Sequence, residues 1–474
     1  MTATRHVEIR KGSYVDSVTL MQVSRRVADL DGVGAALVAM ATDLNLELAA
    51  GMGFEVPAGT TGNEMLVALT AQSEERLAAA RTEVDAALAA ASRPAAGGFG
   101  DAPAPLTVRG AARGLEPGSA IALISTPGHF AFADAVDAVE AGLHTMVFSD
   151  NVPVEQEVAL KRYAADAGVL VMGPDCGTAV IGGVGLGFAN VVRPGPVGIV
   201  AASGTGAQHL MALLDGAGVG VSHCLGVGGR DLSAAVGGLS TLAALDLLDA
   251  DPATDLVLVI SKPPDPAVAD RVRAHAAQLS TPVMFGLLGA GQPDLTATAA
   301  SVVETLAGTW TAPEHWPGRV HAARRGGGLV GLFVGGTLRD EATIVAGERL
   351  GSTPVMVDFG DDELTRGRPH PMIDGSLRVE RILAEVDDPV CGVLLLDVVL
   401  GLGSDPDPAA GLVDPVRRAT DAGLPVVVSV VGTRDDPQDL RRQCAALHGA
   451  GAAVHLSNAA AARAAVALLE EAPR

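Results

Sequence analysis

From residue 120 onward, short apolar runs alternate with segments of helical spacing, and most of the apolar runs end in a glycine-rich loop. This alternation predicts βα units and parallel sheets whose strands are covered on both faces. In such sheets ligands bind beyond the carboxyl ends of the strands, which is where these loops fall. The pattern therefore predicts tandem doubly wound α/β domains of Rossmann or flavodoxin-like type.

Changes in this pattern divide the chain into domains and linkers. The first segment alternates strands and helices in a way typical of a small ferredoxin-like α+β domain. Two stretches rich in Pro and Gly predict linkers. The predicted segments are 1–92 (small α+β domain), 93–119 (linker), 120–194 (partial Rossmann domain), 195–308 (flavodoxin-like domain), 309–327 (linker) and 328–474 (second flavodoxin-like domain).

Composition excludes several classes of partner. The chain carries 33 Lys and Arg against 55 Asp and Glu, a net charge of −22, which argues against nucleic acid and anionic membranes. The four cysteines lie far apart and form no CxxC pair, so neither a disulfide framework nor a metal site is predicted. The N-terminus has no apolar signal core, and we expect a soluble, cytoplasmic protein that binds a small anionic molecule.

Two loops share one design, in which a strand ends in small residues and a threonine before a helix. Such a turn leaves backbone N–H groups unpaired at the positive end of a helix dipole, which suits a phosphate or carboxylate. The alternative is a βα turn whose glycines serve steric needs alone. The candidate anion-binding residues are Ser203, Gly204, Thr205 and Gly206 in the first loop and Gly335, Gly336 and Thr337 in the second.

The segment 360–374 concentrates charge. Arg366, Arg368 and His370 are spaced by two, and Pro369 and Pro371 keep the backbone extended, so the three basic side chains are predicted on one side. Such a row suits an anion or carboxylate, while a solvated loop that pairs internally is the alternative. The acidic cluster that begins at Asp361 is also a candidate to line a substrate crevice at the strand ends. It could instead hold a metal, but no further residue completes a ligand set for a metal ion.

Several isolated residues stay open to two interpretations. Arg230 either reaches the same crevice or forms an ion pair at a helix start, and Asp175 and Cys176 of GPDCGT are candidates for the substrate crevice. For Cys176 a packed small residue is favoured over a nucleophile, because no histidine lies near it in sequence. His129 and His209 flank glycine-rich loops, where hydrogen-bonded structural histidines are favoured over catalytic ones.

Several motifs resemble known enzymes. GPDCGT, VGIVAASGTGAQ and LGVGGRDLS resemble the α subunit of succinyl-CoA synthetase, and GLVGLFVGGTL through VVLGLGSDPDP resembles the carboxyl-terminal ligase domain of its β subunit. With SYVDSVTLM, MATDLN and DDELTRGRPHPMID, nearly the whole chain is identified as a member of the FdrA family. The resemblance implies domains of succinyl-CoA synthetase type, the first of them a partial CoA-binding-like domain.

Succinyl-CoA synthetases bind CoA on a glycine-rich Rossmann loop, carry phosphate on a swivelling histidine and bind nucleotide on an ATP-grasp domain. The resemblance implies that ASGTG and VGGTL correspond to the two helix N-termini that cradle the phosphohistidine. Three parts of that pattern are missing here. There is no GxTGxxG turn, no ATP-grasp segment and no histidine between His275 and His315. A complete ligase cycle is therefore not expected of this chain alone, and CoA is a doubtful ligand.

The FdrA family is also similar to the large subunit of oxamate carbamoyltransferase. That resemblance implies a subunit of a phosphate-dependent carbamoyltransferase, with phosphate or carbamoyl phosphate as substrate and companion subunits or a second copy as partners. We expect this transferase rather than an acid–thiol ligase. Residues 203–206 would bind phosphate, Arg368 or Arg230 would hold the carboxylate or polarise the carbonyl, and His370 would assist proton transfer. The alternatives are an acyl-CoA synthetase-like protein and a non-catalytic scaffold subunit.

Overall fold

The computed structural model describes residues 4–12, 15, 17–91, 105–116, 118–320, 322–350, 354–365 and 369–471. The N-terminal domain is a three-stranded antiparallel sheet with helices on both faces. Its elements are β1 (Thr4–Arg10), α1 (Ser17–Ala28), β2 (Val33–Met40), α2 (Asp43–Gly51), β3 (Met65–Ala71) and α3 (Glu74–Ala91). The order β1-β3-β2 leaves β2 at an edge, with α1 and α3 packed on one face. The predicted small α+β domain is confirmed.

A three-stranded parallel sheet follows. Its elements are α4 (Val108–Ala112), β4 (Ile121–Ile124), α5 (Gly128–Glu140), β5 (His144–Val147), α6 (Val154–Ala167) and β6 (Val171–Met172). The order is β4-β5-β6, and α5 and α6 cover one face. Met146 and Met172 on the other face pack into the core of the next domain, so this sheet has no independent second layer.

The next part of the chain, 178–305, contains a six-stranded sheet and is called the second domain here. Its elements are β7 (Thr178–Ile181), β8 (Val184–Gly187), β9 (Pro194–Ala202), α7 (Gly204–Gly216), β10 (Val221–Gly226), α8 (Leu239–Asp249), β11 (Leu256–Ser261), α9 (Pro266–Ala276), β12 (Val283–Leu287) and α10 (Leu295–Thr305). The order is β12-β11-β9-β10-β7-β8, parallel except for β7 and β8. The predicted partial Rossmann domain, 120–194, included the residues of β7 and β8 without predicting them as strands. They instead extend this sheet, because β7 pairs antiparallel with β10.

The C-terminal domain contains another six-stranded sheet covered by helices. Its elements are β13 (His315–Trp316), β14 (Gly328–Phe333), α11 (Gly336–Gly347), β15 (Val355–Asp358), α12 (Asp362–Thr365), α13 (Ser376–Asp387), β16 (Cys391–Val399), α14 (Pro408–Asp421), β17 (Val426–Val431), α15 (Leu440–Gly449), β18 (Ala453–His455) and α16 (Asn458–Glu470). The order β13-β18-β17-β16-β14-β15 is parallel except for β13. The predicted tandem parallel-sheet architecture is confirmed. None of the helices that the structure describes is long and apolar enough to cross a membrane.

The second and C-terminal domains share one hydrophobic core. Leu210 and Leu214 of α7 and Val302 of α10 belong to the same buried cluster as Leu338 of α11 and Ala465 of α16. All five side chains are fully shielded from solvent. Because a close-packed interior resists relative displacement, this four-helix contact sets the distance between the glycine-rich loops at the helix starts.

A buried polar network joins the same four helices. Asn458 Nδ2 of α16 donates to Glu341 Oε2 of α11 at 2.7 Å, and Leu295 N at the start of α10 donates to Glu341 Oε1 at 2.6 Å. His209 of α7 accepts a hydrogen bond at Nε2 from Asn458 N at 3.2 Å. Burial lowers the pKa of His209 to about 4, against a weaker opposing effect of Asp294. His209 is therefore a neutral structural residue at neutral pH.

The His209→Gln variant is expected to be less sensitive to acid than the wild type. The pKa of His209 lies below its unfolded value of 6.5, so the unfolded chain takes up the proton first and stability falls as the pH falls from 6.5 towards 4. Between pH 7 and pH 5 this costs about 2 kcal/mol of unfolding free energy. Chemical denaturation at both pH values measures the difference. An equal loss in wild type and variant would contradict the prediction, and the exposed His129→Gln variant is the control.

Candidate functional site

The N-termini of two helices from different domains meet at the carboxyl ends of two parallel strands. Ser203 caps α7, accepting at Oγ from Gly206 N at 3.0 Å, and its hydroxyl lies 2.6 Å from Thr337 Oγ1 in the first turn of α11. A Cβ on Gly335 would lie 2.9 Å from Thr205 Oγ1, so this approach requires glycine. The two predicted loops thus lie against each other; their affinity for anions remains a prediction.

Access to the junction is uneven. Gly204 is exposed, and Thr205 and Gly336 are half-buried, whereas Ser203 and Thr337 are buried. The first N–H groups of both helices have no partner within the helix, and the two dipoles add partial positive charge at one place. An anion could therefore reach the junction from the side of Gly204.

A buried ion pair holds the second loop. Asp397, near the end of β16, accepts from Val334 N at 2.8 Å and from Gly335 N at 2.9 Å. Arg378 of α13 donates from Nη1 to Asp397 Oδ1 at 2.9 Å. Burial raises the pKa of Asp397 to about 6, while Arg378 and the two N–H groups lower it. The carboxylate is therefore ionised at neutral pH and fixes the backbone just before α11.

Lys262 and Asp358 complete the surroundings of Gly336, and the sequence analysis missed both. Lys262 directly follows β11, and its Nζ lies 2.9 Å from the position that a Cβ on Gly336 would take and 3.9 Å from Asp340 Oδ2. The carboxylate of Asp358, the last residue of β15, contacts the same position. Burial raises the pKa of Asp358, and Gly360 N and Lys262 oppose that shift. The sequence signal that could have identified these two residues is their position at the carboxyl ends of strands.

His370 lies behind Asp358. Its Nδ1 accepts from Met372 N at 3.2 Å, so the neutral ring carries its proton on Nε2. Nε2 lies 2.9 Å, and Asp358 Oδ1 3.2 Å, from the position of a Cβ on Gly360. Burial lowers the pKa of His370 to about 4. The expected row of basic groups is therefore wrong at this position, because His370 is a neutral N–H donor.

The rest of the charged segment adds little to the junction. Arg366 and Arg368 lie outside the described residues. Asp361 is exposed, and its Oδ1 accepts from Glu363 N at 3.0 Å in the short helix α12. The structure thus gives Asp361 a local capping contact, and its predicted part in the crevice remains untested.

Arg230 contributes to a domain contact. Its Nη2 donates to Val152 O at 2.9 Å and lies 3.0 Å from Glu157 Oε2. Lys161, which unlike Arg230 is buried, donates to Glu157 at 2.8 Å and to Asp231 at 2.7 Å, so α6 is held against the loop before α8. Of the two interpretations of Arg230, the structure supports the ion pair near a helix start.

The two candidate crevice residues of the GPDCGT loop lie in different environments. Cys176 is 2% exposed, and burial raises the pKa of its thiol to about 12, so its predicted place in the substrate crevice is wrong. It packs where a Cβ on Gly226 would clash with its sulfur. Asp175 is exposed, with a φ of 57°, and lies 3.8 Å from the position of a Cβ on Gly229.

Two family models match the chain. One described as "AllF, heavy metal-associated domain" matches residues 1–105, and one described as "CoA-ligase" matches residues 332–468. The first description raises the question of a metal. Residues 1–105 contain no cysteine and one histidine, His6, which lies 3.4 Å from Glu8. Within the described ranges no group of three or more His, Cys, Asp or Glu is placed to hold a metal ion. The residues present do not fit a thiolate metal site.

Known proteins match the chain to different extents. YahF of Escherichia coli is 35% identical over 94% of this chain and 95% of its own length. The succinate–CoA ligase α subunit of Methanothermobacter thermautotrophicus is 30% identical over 36% of this chain and 58% of its own length. The malate–CoA ligase α subunit of Methylorubrum extorquens is 28% identical over 40% and 64%. The solved acetyl-coenzyme A synthetase of Ca. Korarchaeum cryptofilum aligns over 79% of this chain and 87% of its own, with 19% identity and a TM-score of 0.33.

These comparisons correct one expectation. The preference for a carbamoyltransferase over an acid–thiol ligase is wrong, because the family model that matches residues 332–468 and the relatives named for an activity are CoA ligases. The chain is similar to the α subunit of succinate–CoA ligase over about a third of its length. With YahF matching nearly all of it, the chain belongs to the FdrA-like family related to succinyl-CoA synthetase.

Proposed function

We propose that this protein is a subunit of an acid–CoA ligase of succinyl-CoA synthetase type, and that it binds a phosphoryl group between the N-termini of α7 and α11. One observation carries the proposal. Two helix starts from separate domains meet at the 2.6 Å contact of Ser203 with Thr337, and Lys262 lies beside the first residue of α11. The similarity to CoA ligases supports the same reaction class.

The chemistry requires such a place. In forming a thioester from an acyl phosphate, the thiol sulfur attacks the carbonyl carbon, a C–S bond forms, and the C–O bond to phosphate breaks. The leaving phosphate gains negative charge, which the two helix dipoles and Lys262 would stabilise. Asp358 lies on the same side of Gly336 and is our candidate to accept the thiol proton, because burial raises the pKa of its carboxyl.

A companion chain would carry out the remaining steps. No histidine occurs between His275 and His315, and residues 286–300 stand where the resemblance places the phosphorylated histidine. In the structure this stretch contains the end of β12 and the first half of α10. The phosphoryl carrier and the nucleotide site would therefore be supplied by a partner subunit.

Lys262→Met is expected to weaken binding of inorganic phosphate and acetyl phosphate about tenfold, because a charge-assisted contact at a partly exposed site is lost. Isothermal titration of the full chain with each ligand measures the effect. Lys11→Met is the matched control, since Lys11 is 84% exposed and pairs with Glu64 in the N-terminal domain. Unchanged affinity in Lys262→Met, or no binding to the wild type, would refute the phosphoryl site.

A second measurement tests the reaction class. The protein, with candidate partner subunits, is incubated with ATP, CoA and a panel of carboxylic acids, and thioester formation is followed. ATP- and CoA-dependent thioester is the expected product, and Lys262→Met should lower its rate. Phosphate binding without thioester formation for any acid would leave the anion site standing and overturn the ligase assignment.

A further inference from the structure

A cavity of about 340 Å³ lies between the N-terminal domain and the C-terminal domain. One wall consists of α1, the edge strand β2 and α2, and the other of residues around β15, α12 and α13. Pro127, at the start of α5, lies at a third side. A space of this size falls within the range of small-molecule sites, which often lie between domains.

The walls of this cavity are mainly apolar. The larger apolar side chains that both domains contribute are leucines, methionines and one phenylalanine, which do not hold water by hydrogen bonds. They include Leu20, Met21, Met40, Leu48 and Met52 from the N-terminal domain and Phe359, Leu364 and Leu377 from the C-terminal domain. Methionines adapt their shape to flexible chains, so the lining suits an aliphatic group rather than a rigid polar ligand.

Most polar groups of the wall are already paired. Ser24 Oγ donates to Leu20 O at 2.9 Å and accepts from Val38 N at 2.8 Å, and Asn45 Nδ2 donates to Met40 O at 2.7 Å. These bonds serve the backbone of α1 and β2. Because these hydrogen bonds are made within the domain, the Ser24 hydroxyl and the Asn45 amide nitrogen do not need a ligand as a partner.

The charged groups of the wall are also engaged, with one exception. Arg25 Nη2 lies 2.7 Å from Asp405 Oδ2, and Asp374 Oδ1 accepts from Ser376 N at 2.9 Å. Arg378 is 4% exposed, and its Nη1 serves Asp397. Among the described residues, its Nε has no hydrogen-bond partner. A buried donor left unpaired costs free energy, so an acceptor brought by a ligand would be favoured here.

We propose that this cavity binds the chain of an aliphatic carboxylic acid or its acyl group, with one oxygen accepting a hydrogen bond from Arg378 Nε. A second cavity, of about 400 Å³, shares Arg378 and Arg25 with the first and reaches Val334, the residue before the loop of α11. The head group would therefore lie on the side of the phosphoryl site. In naming this acid as the one the ligase activates, the inference rests on the proposed function.

The experiment titrates the full chain with butanoate, octanoate and octan-1-amine. Octanoate is expected to bind at least tenfold more tightly than butanoate, because each additional methylene adds buried apolar surface. The amine, which has the same chain length and a cationic head that cannot accept a hydrogen bond, is expected to bind at least tenfold more weakly than octanoate. No binding of octanoate at millimolar concentration, or equal binding of acid and amine, would overturn the proposal.

Two variants that fill the cavity from opposite walls locate the site. Met21→Trp and Leu377→Trp are each expected to weaken octanoate binding at least tenfold, whereas Leu247→Trp, at an exposed position of α8, retains it. Undiminished octanoate affinity in both filling variants would place the ligand elsewhere and refute the site. Phosphate titration of the same proteins separates the two proposals. Phosphate binding without octanoate binding refutes the cavity alone, and the reverse refutes the phosphoryl site alone.

Discussion

The contact of α7 and α10 with α11 and α16 determines the rest of this structure. These four helices come from two sheets that share no strand, yet their apolar side chains form one buried cluster. The His209, Asn458 and Glu341 network fixes their relative rotation with directional bonds, which apolar packing alone would specify less well. Since α7 and α11 both begin at glycine-rich loops, locking the helices also locks the loops.

The junction formed in this way explains how a chain of net charge −22 could bind an anion. The positive charge is local, coming from two helix starts and the Nζ of Lys262, and little of it depends on exposed arginines. Glycine is required at position 335 because the two loops lie so close together that a Cβ there would collide with Thr205. Asp397 and Arg378 then hold the loop from behind, so the N–H groups of α11 are oriented before any ligand arrives.

Sequence reasoning succeeded where a local pattern determines structure and failed where tertiary burial decides. The pairing of the 203–206 and 335–337 loops was foreseeable, because both follow parallel strands and ligand sites collect at such strand ends. Lys262 and Asp358 were missed because a single polar residue at the end of a strand forms no motif. Cys176 was included among the crevice residues although the favoured interpretation, a packed small residue, agrees with its burial. For His370 the predicted positive charge was wrong, because desolvation lowers its pKa to about 4. The residues of β7 and β8 were assigned to the preceding domain because the pairing partner of β7, β10, lies some 40 residues further along the chain.

The N-terminal domain illustrates how a fold can be kept while its usual chemistry is absent. It matches a heavy metal-associated model, but it has no cysteine to supply a soft ligand. It is linked to the C-terminal domain by Arg25, which pairs with Asp405 and also donates to Ile373 O. That link closes α1 over the segment that carries His370 and Arg378. In this position the N-terminal domain encloses a cavity against the C-terminal domain, which carries the CoA-ligase match. We therefore expect the N-terminal domain to contribute to function by covering this cavity, and not by binding a metal.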